Sequence, residues 1–130
     1  MAVSATICAY DERDKLGFGM IPEESIDIPI SFQRVFNDYW KPVIERLELP
    51  TLRWVGALDV DYAMWPAFKG ELLTMQKFLR ENPEIALSIC KEDCGGKLET
   101  INEDIIPRID YVIEKMQRAF DLSDKIIYSL

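Results

Sequence analysis

The run Ser25-Ile26-Asp27-Ile28-Pro29-Ile30, followed at once by Ser31-Phe32-Gln33-Arg34-Val35-Phe36, decides the fold class because the hydrophobic period changes inside it. Ile26, Ile28 and Ile30 recur every second residue, the spacing of a strand with one buried face. Beyond Ser31, the residues Phe32, Val35, Phe36, Tyr39, Trp40, Val43, Ile44 and Leu47 recur at three- and four-residue offsets and form one helical stripe. A strand that runs directly into a helix requires sheet and helices in the same unit. Pro29 has no N–H to give a neighbour, so this strand belongs at a sheet edge. Ser31 is expected to cap the helix, and Pro42, inside the helical pattern, predicts a kink or break near Asp38 to Lys41.

Upstream, Val3, Ala5, Ile7 and Ala9 alternate with Ser4, Thr6, Cys8 and Tyr10, a second strand that the charged run Asp11 to Lys15 ends. Gly17 and Gly19 permit a turn between the two strands. Downstream, Leu52, Trp54, Gly56 and Leu58 alternate over Thr51 to Leu58 and predict a third strand. A helix is predicted over Pro66 to Arg80, with Phe68, Leu72, Met75 and Leu79 on one face. Ile85, Leu87 and Ile89 alternate again and predict a strand into Cys90. The polar, glycine-ended stretch Lys91 to Gly96 then reads as a loop, joining a hairpin partner at Lys97 to Ile101. Ile106, Ile109, Val112, Ile113, Met116 and Phe120 mark the clearest helix, and Glu103 and Asp104 near its start complement the helix dipole. Asp121 to Lys125 reads as a turn and Ile126-Ile127-Tyr128 as a last short strand.

The expectation is therefore an α+β fold: a mixed, mainly antiparallel sheet of four to five strands with three amphipathic helices packed on it, in a single globular domain over residues 1–130. A small three-layer α/β arrangement is the alternative. With 48% hydrophobic and 29% charged residues in 130, the chain can build a core without disulfides or a structural metal. No apolar stretch approaches the roughly 20 residues that span a bilayer, so no membrane association is expected. Three cysteines, Cys8, Cys90 and Cys94, are too few and too odd in number for a disulfide framework, which fits a cytoplasmic location.

Two bulk features narrow the function. The chain contains no histidine, which removes Ser-His-Asp and Cys-His nucleophile systems and His-based zinc sites. It also carries 23 acidic against 15 basic residues, a net charge of -8, so phosphate backbones and anionic membranes repel it. Cys90 and Cys94 have a spacing that could offer two thiolates to zinc, but two ligands fall short of the usual four, and both read as ordinary thiols. Neither Gly17-Phe18-Gly19 nor Gly95-Gly96 continues into a phosphate-binding loop.

Asp59-Val60-Asp61, at the end of a strand-like run, resembles the Asp-x-Asp segment of haloacid-dehalogenase-type phosphotransferases. The resemblance implies Mg²⁺ held beside a phosphate; Tyr62 and Ala63 depart from the residues that family carries next. Tyr62, Trp65 and Phe68 lie beside the same two acids. Aromatic rings interleaved with carboxylates can anchor a protein interface. Trp40, Trp54 and Phe68 sit on buried stripes and are expected in the core, whereas Tyr62 and Trp65 fall in a connection and are the candidates for exposure.

The reading that unites these features is an acidic protein-binding module that inhibits or neutralises a basic protein partner, such as an immunity protein against a nuclease-type toxin. Its expected contact residues are Asp59, Asp61, Tyr62 and Trp65, with no catalytic residue, metal or cofactor. One alternative is a small Mg-dependent phosphotransfer enzyme using Asp59, Asp61 and Glu71. Another is a non-catalytic subunit or adaptor.

Overall fold

The computed structural model describes residues 2–9, 21–91 and 96–130. The expectations placed on Tyr10, on the Asp11 to Lys15 run, on the Gly17 and Gly19 turn and on Cys94 with its neighbours 92–95 lie outside the described residues. Within them the chain is an α+β fold, with helices packed on an antiparallel four-stranded sheet.

The sheet comprises β1 (Ala2–Ala9), β2 (Asp27–Phe32), β3 (Asp59–Val60) and β4 (Ile127–Ser129), in the order β2-β1-β4-β3. β2 occupies one edge, as Pro29 requires, and β1 carries a register irregularity at Val3/Ser4, where Ser4 comes opposite Pro29. Alternation sorts the two faces. Val3 and Ala5, Ile28 and Ile30, Val60, and Tyr128 are buried beneath helices, while Thr6, Cys8, Asp27, Asp59 and Ser129 point out. Register aligns Asp27, Thr6, Ser129 and Asp59 in one row across all four strands of the open face. The Thr6 hydroxyl donates to Asp27 Oδ1 at 3.0 Å within that row.

The helices are α1 (Glu23–Ile26); α2, which runs through Gln33–Val35, a π turn Phe36–Trp40 and Lys41–Arg46; α3 (Trp65–Glu81); α4 (Pro83–Ile89); and α5 (Ile106–Leu122), preceded by a second π turn Thr100–Ile105. Both π turns end just ahead of a proline. The N–H of Lys41 reaches back five residues to the Phe36 carbonyl, and the N–H of Ile106 reaches the Ile101 carbonyl. Pro42 and Pro107 follow directly, each without a donor for the carbonyl one turn back. A widened turn keeps the proline ring clear of that carbonyl and lets the helix continue. The Asp38 carbonyl, which an ordinary residue 42 would have bonded, accepts from the Lys91 N–H at 3.0 Å instead. The distortion predicted near Asp38 to Lys41 is thus a π turn over Phe36–Trp40.

Five local expectations are corrected. Thr51 to Leu58 is no strand: Leu52–Trp54 is a single 3₁₀ turn, and Gly56 bends the chain with φ 109°, a backbone that side chains rarely tolerate. Leu52 and Leu58 are buried, which produced the alternation, but Trp54 is 55% exposed with Arg53 over its ring, so it is no core residue. Ile85, Leu87 and Ile89 lie on α4, which Pro83 starts. Lys97 to Ile101 enters the second π turn rather than a hairpin, with the Lys97 N–H donating to the Tyr39 hydroxyl at 2.9 Å. Ser31 does not cap α2; its hydroxyl donates to the Phe32 carbonyl, and Phe32 is 75% exposed.

The core lies between the sheet and α2, α3 and α5, where Trp40, Tyr39, Phe68, Met75, Ile109 and Tyr128 are fully enclosed. Gln76 joins two of these helices: its amide donates to the Ile106 carbonyl at 3.0 Å and to Asp110 Oδ1 at 2.8 Å. Tyr128 joins β4 to α1, its hydroxyl donating to the Ser25 carbonyl. Burial pushes this hydroxyl above its ordinary pKa of 10.0, since the anion would be stranded without solvent. Its contribution to stability is therefore fully present below pH 10 and declines as pH rises beyond it. Urea unfolding across pH should show a flat midpoint up to about pH 9 and a fall above pH 10. Tyr128→Phe should cost about 1–3 kcal/mol at neutral pH, through the stranded Ser25 carbonyl, and flatten the alkaline fall.

Candidate functional site

β3 is two residues long, yet it fixes the direction of every group that follows it. Val60 turns into the core with no exposure, so Asp59 must turn out onto the open sheet face. The chain then leaves the sheet and starts α3. Asp61 governs that start: its Oδ1 accepts from the Met64 N–H at 2.9 Å, and its carbonyl accepts from the Trp65 N–H at 3.0 Å. A short acidic side chain that satisfies an unpaired amide at a helix start typically contributes about 0.5–2 kcal/mol.

Tyr62 stands between, 53% exposed, with its ring edge-on to Phe120 at 6.2 Å. Trp65, expected as a surface anchor, is instead buried to 4% exposure. Its ring stacks on Phe120 at 5.4 Å, and its indole N–H donates to Gln117 Oε1 at 2.9 Å. Trp65 therefore supports the site from below. Gln117 connects this support to the surface, because its oxygen also accepts from Lys69 Nζ at 3.1 Å and its amide donates to Asp121 Oδ1 at 2.8 Å.

Packing α5 against α3 brings the end of α5 beside Tyr62. Together Tyr62, Phe120, Asp121, Ser123, Asp124 and Lys125 line an open hollow of about 440 Å³. Asp59 and Asp61 precede Tyr62 on the chain, and Asp121 and Asp124 share its hollow. Among the described residues none of these four carboxylates forms a salt bridge, and Lys125 is the basic side chain in the hollow's lining. Asp121 also lies in the last turn of α5, where the helix dipole disfavours negative charge by about 0.3–1 kcal/mol. Asp121, Asp124 and Gln117 were not legible as site residues. They belong to a helix end and a turn some sixty positions from Tyr62, and only the α3–α5 packing joins them.

The donor set for a metal is less well assembled. Glu71 is buried on α3, and its Oε1 accepts from the backbone N–H groups of Thr51 and Leu52, both at 2.9 Å. It thereby fixes the 3₁₀ turn that leads to β3, and that oxygen is committed. Among the described residues no three His, Cys, Asp or Glu side chains converge on one point. Cys90 is buried, with its thiol donating to the Ala86 carbonyl at 3.0 Å, while Cys8 is exposed on the open sheet face. No helix is long and apolar enough to cross a membrane among the described residues.

No protein-family model, curated protein or solved structure matches the chain.

Because Glu71 satisfies two amide donors at once, Glu71→Ala should destabilise the fold by about 1.5–3 kcal/mol or more in chemical denaturation. Glu71→Gln keeps an acceptor oxygen and should lose less. Equal losses for the two variants would show that the carboxylate's two hydrogen bonds are not what holds the turn.

Proposed function

We propose that the chain is an acidic protein-binding module that docks on, and occludes, a basic surface of a partner protein. The observation that carries this reading is the half-exposed Tyr62 ring beside carboxylates that form no salt bridge among the described residues. An exposed aromatic ring with a fixed orientation can bury area on binding at little entropic cost, and Tyr is among the residues that dominate interface energetics. Unpaired carboxylates around it supply the long-range attraction that raises association rates toward a positively charged partner.

The charge distribution supports the same polarity. β1, β2, β3 and β4 contain no Lys or Arg, so the open sheet face carries Asp27 at one rim and Asp59 at the other with small hydroxyl side chains between. In a chain of net charge -8, Asp27 and Asp59 at the two rims are the strand carboxylates this face offers to a positively charged partner. A basic enzyme that acts on phosphate backbones, such as a nuclease-type toxin, is the kind of partner whose active surface it would fit. No catalytic residue is needed for such an inhibitor.

Immobilised protein should retain a basic partner from lysate at low salt and release it as salt rises, since surface attraction is screened over about 8 Å at physiological ionic strength. With the captured partner in hand, Tyr62→Ala should weaken binding by about 2 kcal/mol, mostly through faster dissociation. Asp59→Lys combined with Asp124→Lys should chiefly slow association and reduce its salt dependence. A partner whose affinity is unchanged by either variant would sink the assignment of this face.

A further inference from the structure

Among the described tyrosines and tryptophans three rings reach solvent: Trp54, Tyr62 and Tyr111. Two of them carry a cation from this chain. Arg53 lies over Trp54 at 5.1 Å, and Arg108 and Lys115 lie over Tyr111 at 4.9 and 5.4 Å. Over Tyr62 no described Lys or Arg stands, although its ring is more than half exposed. The ring is also held in place from behind. Phe120 meets it edge-on, and Phe120 is itself fixed by Trp65 stacked at 5.4 Å and by Tyr128 edge-on at 5.6 Å. An electron-rich ring on a rigid base, open on its outer side, attracts a positive group.

The same hollow of about 440 Å³ supplies the countercharge. Asp121 is oriented by a chain of hydrogen bonds that starts in the core: the Trp65 indole N–H donates to Gln117 Oε1, and the Gln117 amide donates to Asp121 Oδ1 at 2.8 Å. Asp124 follows three positions on, exposed, and neither carboxylate forms a salt bridge among the described residues. Lys125 lines the hollow as well, and it is paired with neither acid. Ring and carboxylates thus converge on one open space from α5, from the turn after it and from the start of α3.

We propose that this hollow receives one arginine side chain of a partner protein, its guanidinium against the Tyr62 ring and its N–H groups on the carboxylates of Asp121 and Asp124. The proposal rests on the basic-partner reading above and names the group through which that partner docks. A guanidinium is flat enough to lie on a ring while its fork of donors reaches carboxylates beside it. An ammonium is a compact, strongly hydrated point charge and gains less from the ring. A divalent cation would need several donors on one point, and among the described residues no three acidic or thiol side chains converge. An anion would meet two carboxylates. Lys125 is the feature that opposes an incoming arginine, so its removal has a predicted effect of opposite sign.

Titration of the ¹⁵N-labelled full chain with Nα-acetyl-arginine amide at constant ionic strength provides the test, with the matching lysine and citrulline amides as controls. Citrulline keeps the length of arginine and loses its charge. The arginine amide should shift the backbone signals of Tyr62 and of residues 121–125 saturably, with a dissociation constant on the order of 10 mM. Tyr62→Leu should weaken that binding about two- to fivefold. Asp121→Asn keeps an oxygen for the Gln117 amide; it should weaken binding about two- to fivefold without lowering the thermal midpoint, because it removes a charge that the helix dipole opposes. Lys125→Ala should tighten binding roughly twofold, and more at low salt. No saturable shift up to about 100 mM, equal binding of the lysine or citrulline amide, or a lowered thermal midpoint in Asp121→Asn would each overturn the proposal. Capture from lysate separates it from the reading it rests on. A basic partner that depends on Tyr62, with no binding of arginine amide, keeps that reading and overturns the arginine contact. Saturable arginine binding with no basic partner captured keeps the arginine contact and overturns that reading.

Discussion

Strand β4 pairs along both of its edges, with β1 on one side and β3 on the other, and the rest of the architecture depends on that double pairing. β3 has two residues and, among the described residues, no strand beside it but β4, which holds it in the sheet. The chain around it is secured in the same way: Leu130 accepts from the N–H groups of Gly56 and Leu58 and donates to the Leu58 carbonyl. On the buried face, Tyr128 extends from the same strand into the core, meets Phe120 edge-on at 5.6 Å and reaches the Ser25 carbonyl. One short strand thus positions β3, the start of α3 and the end of α5 relative to one another. These are the elements that carry Asp59, Asp61, Tyr62, Asp121 and Asp124.

That arrangement leaves the sheet covered on one face and open on the other, and the consequence for charge is direct. Strands here are built from small polar and β-branched residues, and every described Lys and Arg sits on helices or connections. Among the described residues the strand side chains of the open face include the carboxylates of Asp27 and Asp59 and no cation. A coherent sign over a surface is what long-range attraction needs, because interspersed charges cancel within a Debye length. The rim at β3 adds the aromatic contact that charge alone does not supply.

Where the hydrophobic period was long and uninterrupted, the residues disclosed their structure. Pro66 to Arg80 is α3 within one residue at each end, Ile106 to Phe120 is α5, and Pro29 placed β2 at the edge. Short runs were ambiguous for a physical reason: three alternating apolar residues fit a strand and a turn of helix equally well. Ile85, Leu87 and Ile89 went to a helix because Pro83 opens one and α3 offers a packing face, while Leu52 and Leu58 are buried by a 3₁₀ turn that Glu71 holds and a glycine bend that Leu130 holds. Asp59, Asp61 and Tyr62 stood out in the sequence as candidates because they adjoin on the chain. Trp65 was misjudged because a residue just before a helix start looks like a loop residue, and its burial depends on Phe120, fifty-five positions away.

Local rules broken in a folded protein draw attention to function, since an isolated concession to stability needs a reason. Among the described residues such concessions include Glu48 at φ 52°, the buried Ser25 hydroxyl without a partner, and two more. At the rim, Asp121 opposes the dipole of the helix that carries it, and Gln117 spends one amide hydrogen bond holding it there. At the π turns, two prolines interrupt helices that the sequence pattern would otherwise complete, and the first of the widened turns ends on Trp40 with its buried indole N–H. The difference between Trp40 and Trp65 lies in their surroundings rather than their chemistry: Gln117 gives the Trp65 N–H an acceptor, and among the described residues none stands beside the equally enclosed Trp40 N–H.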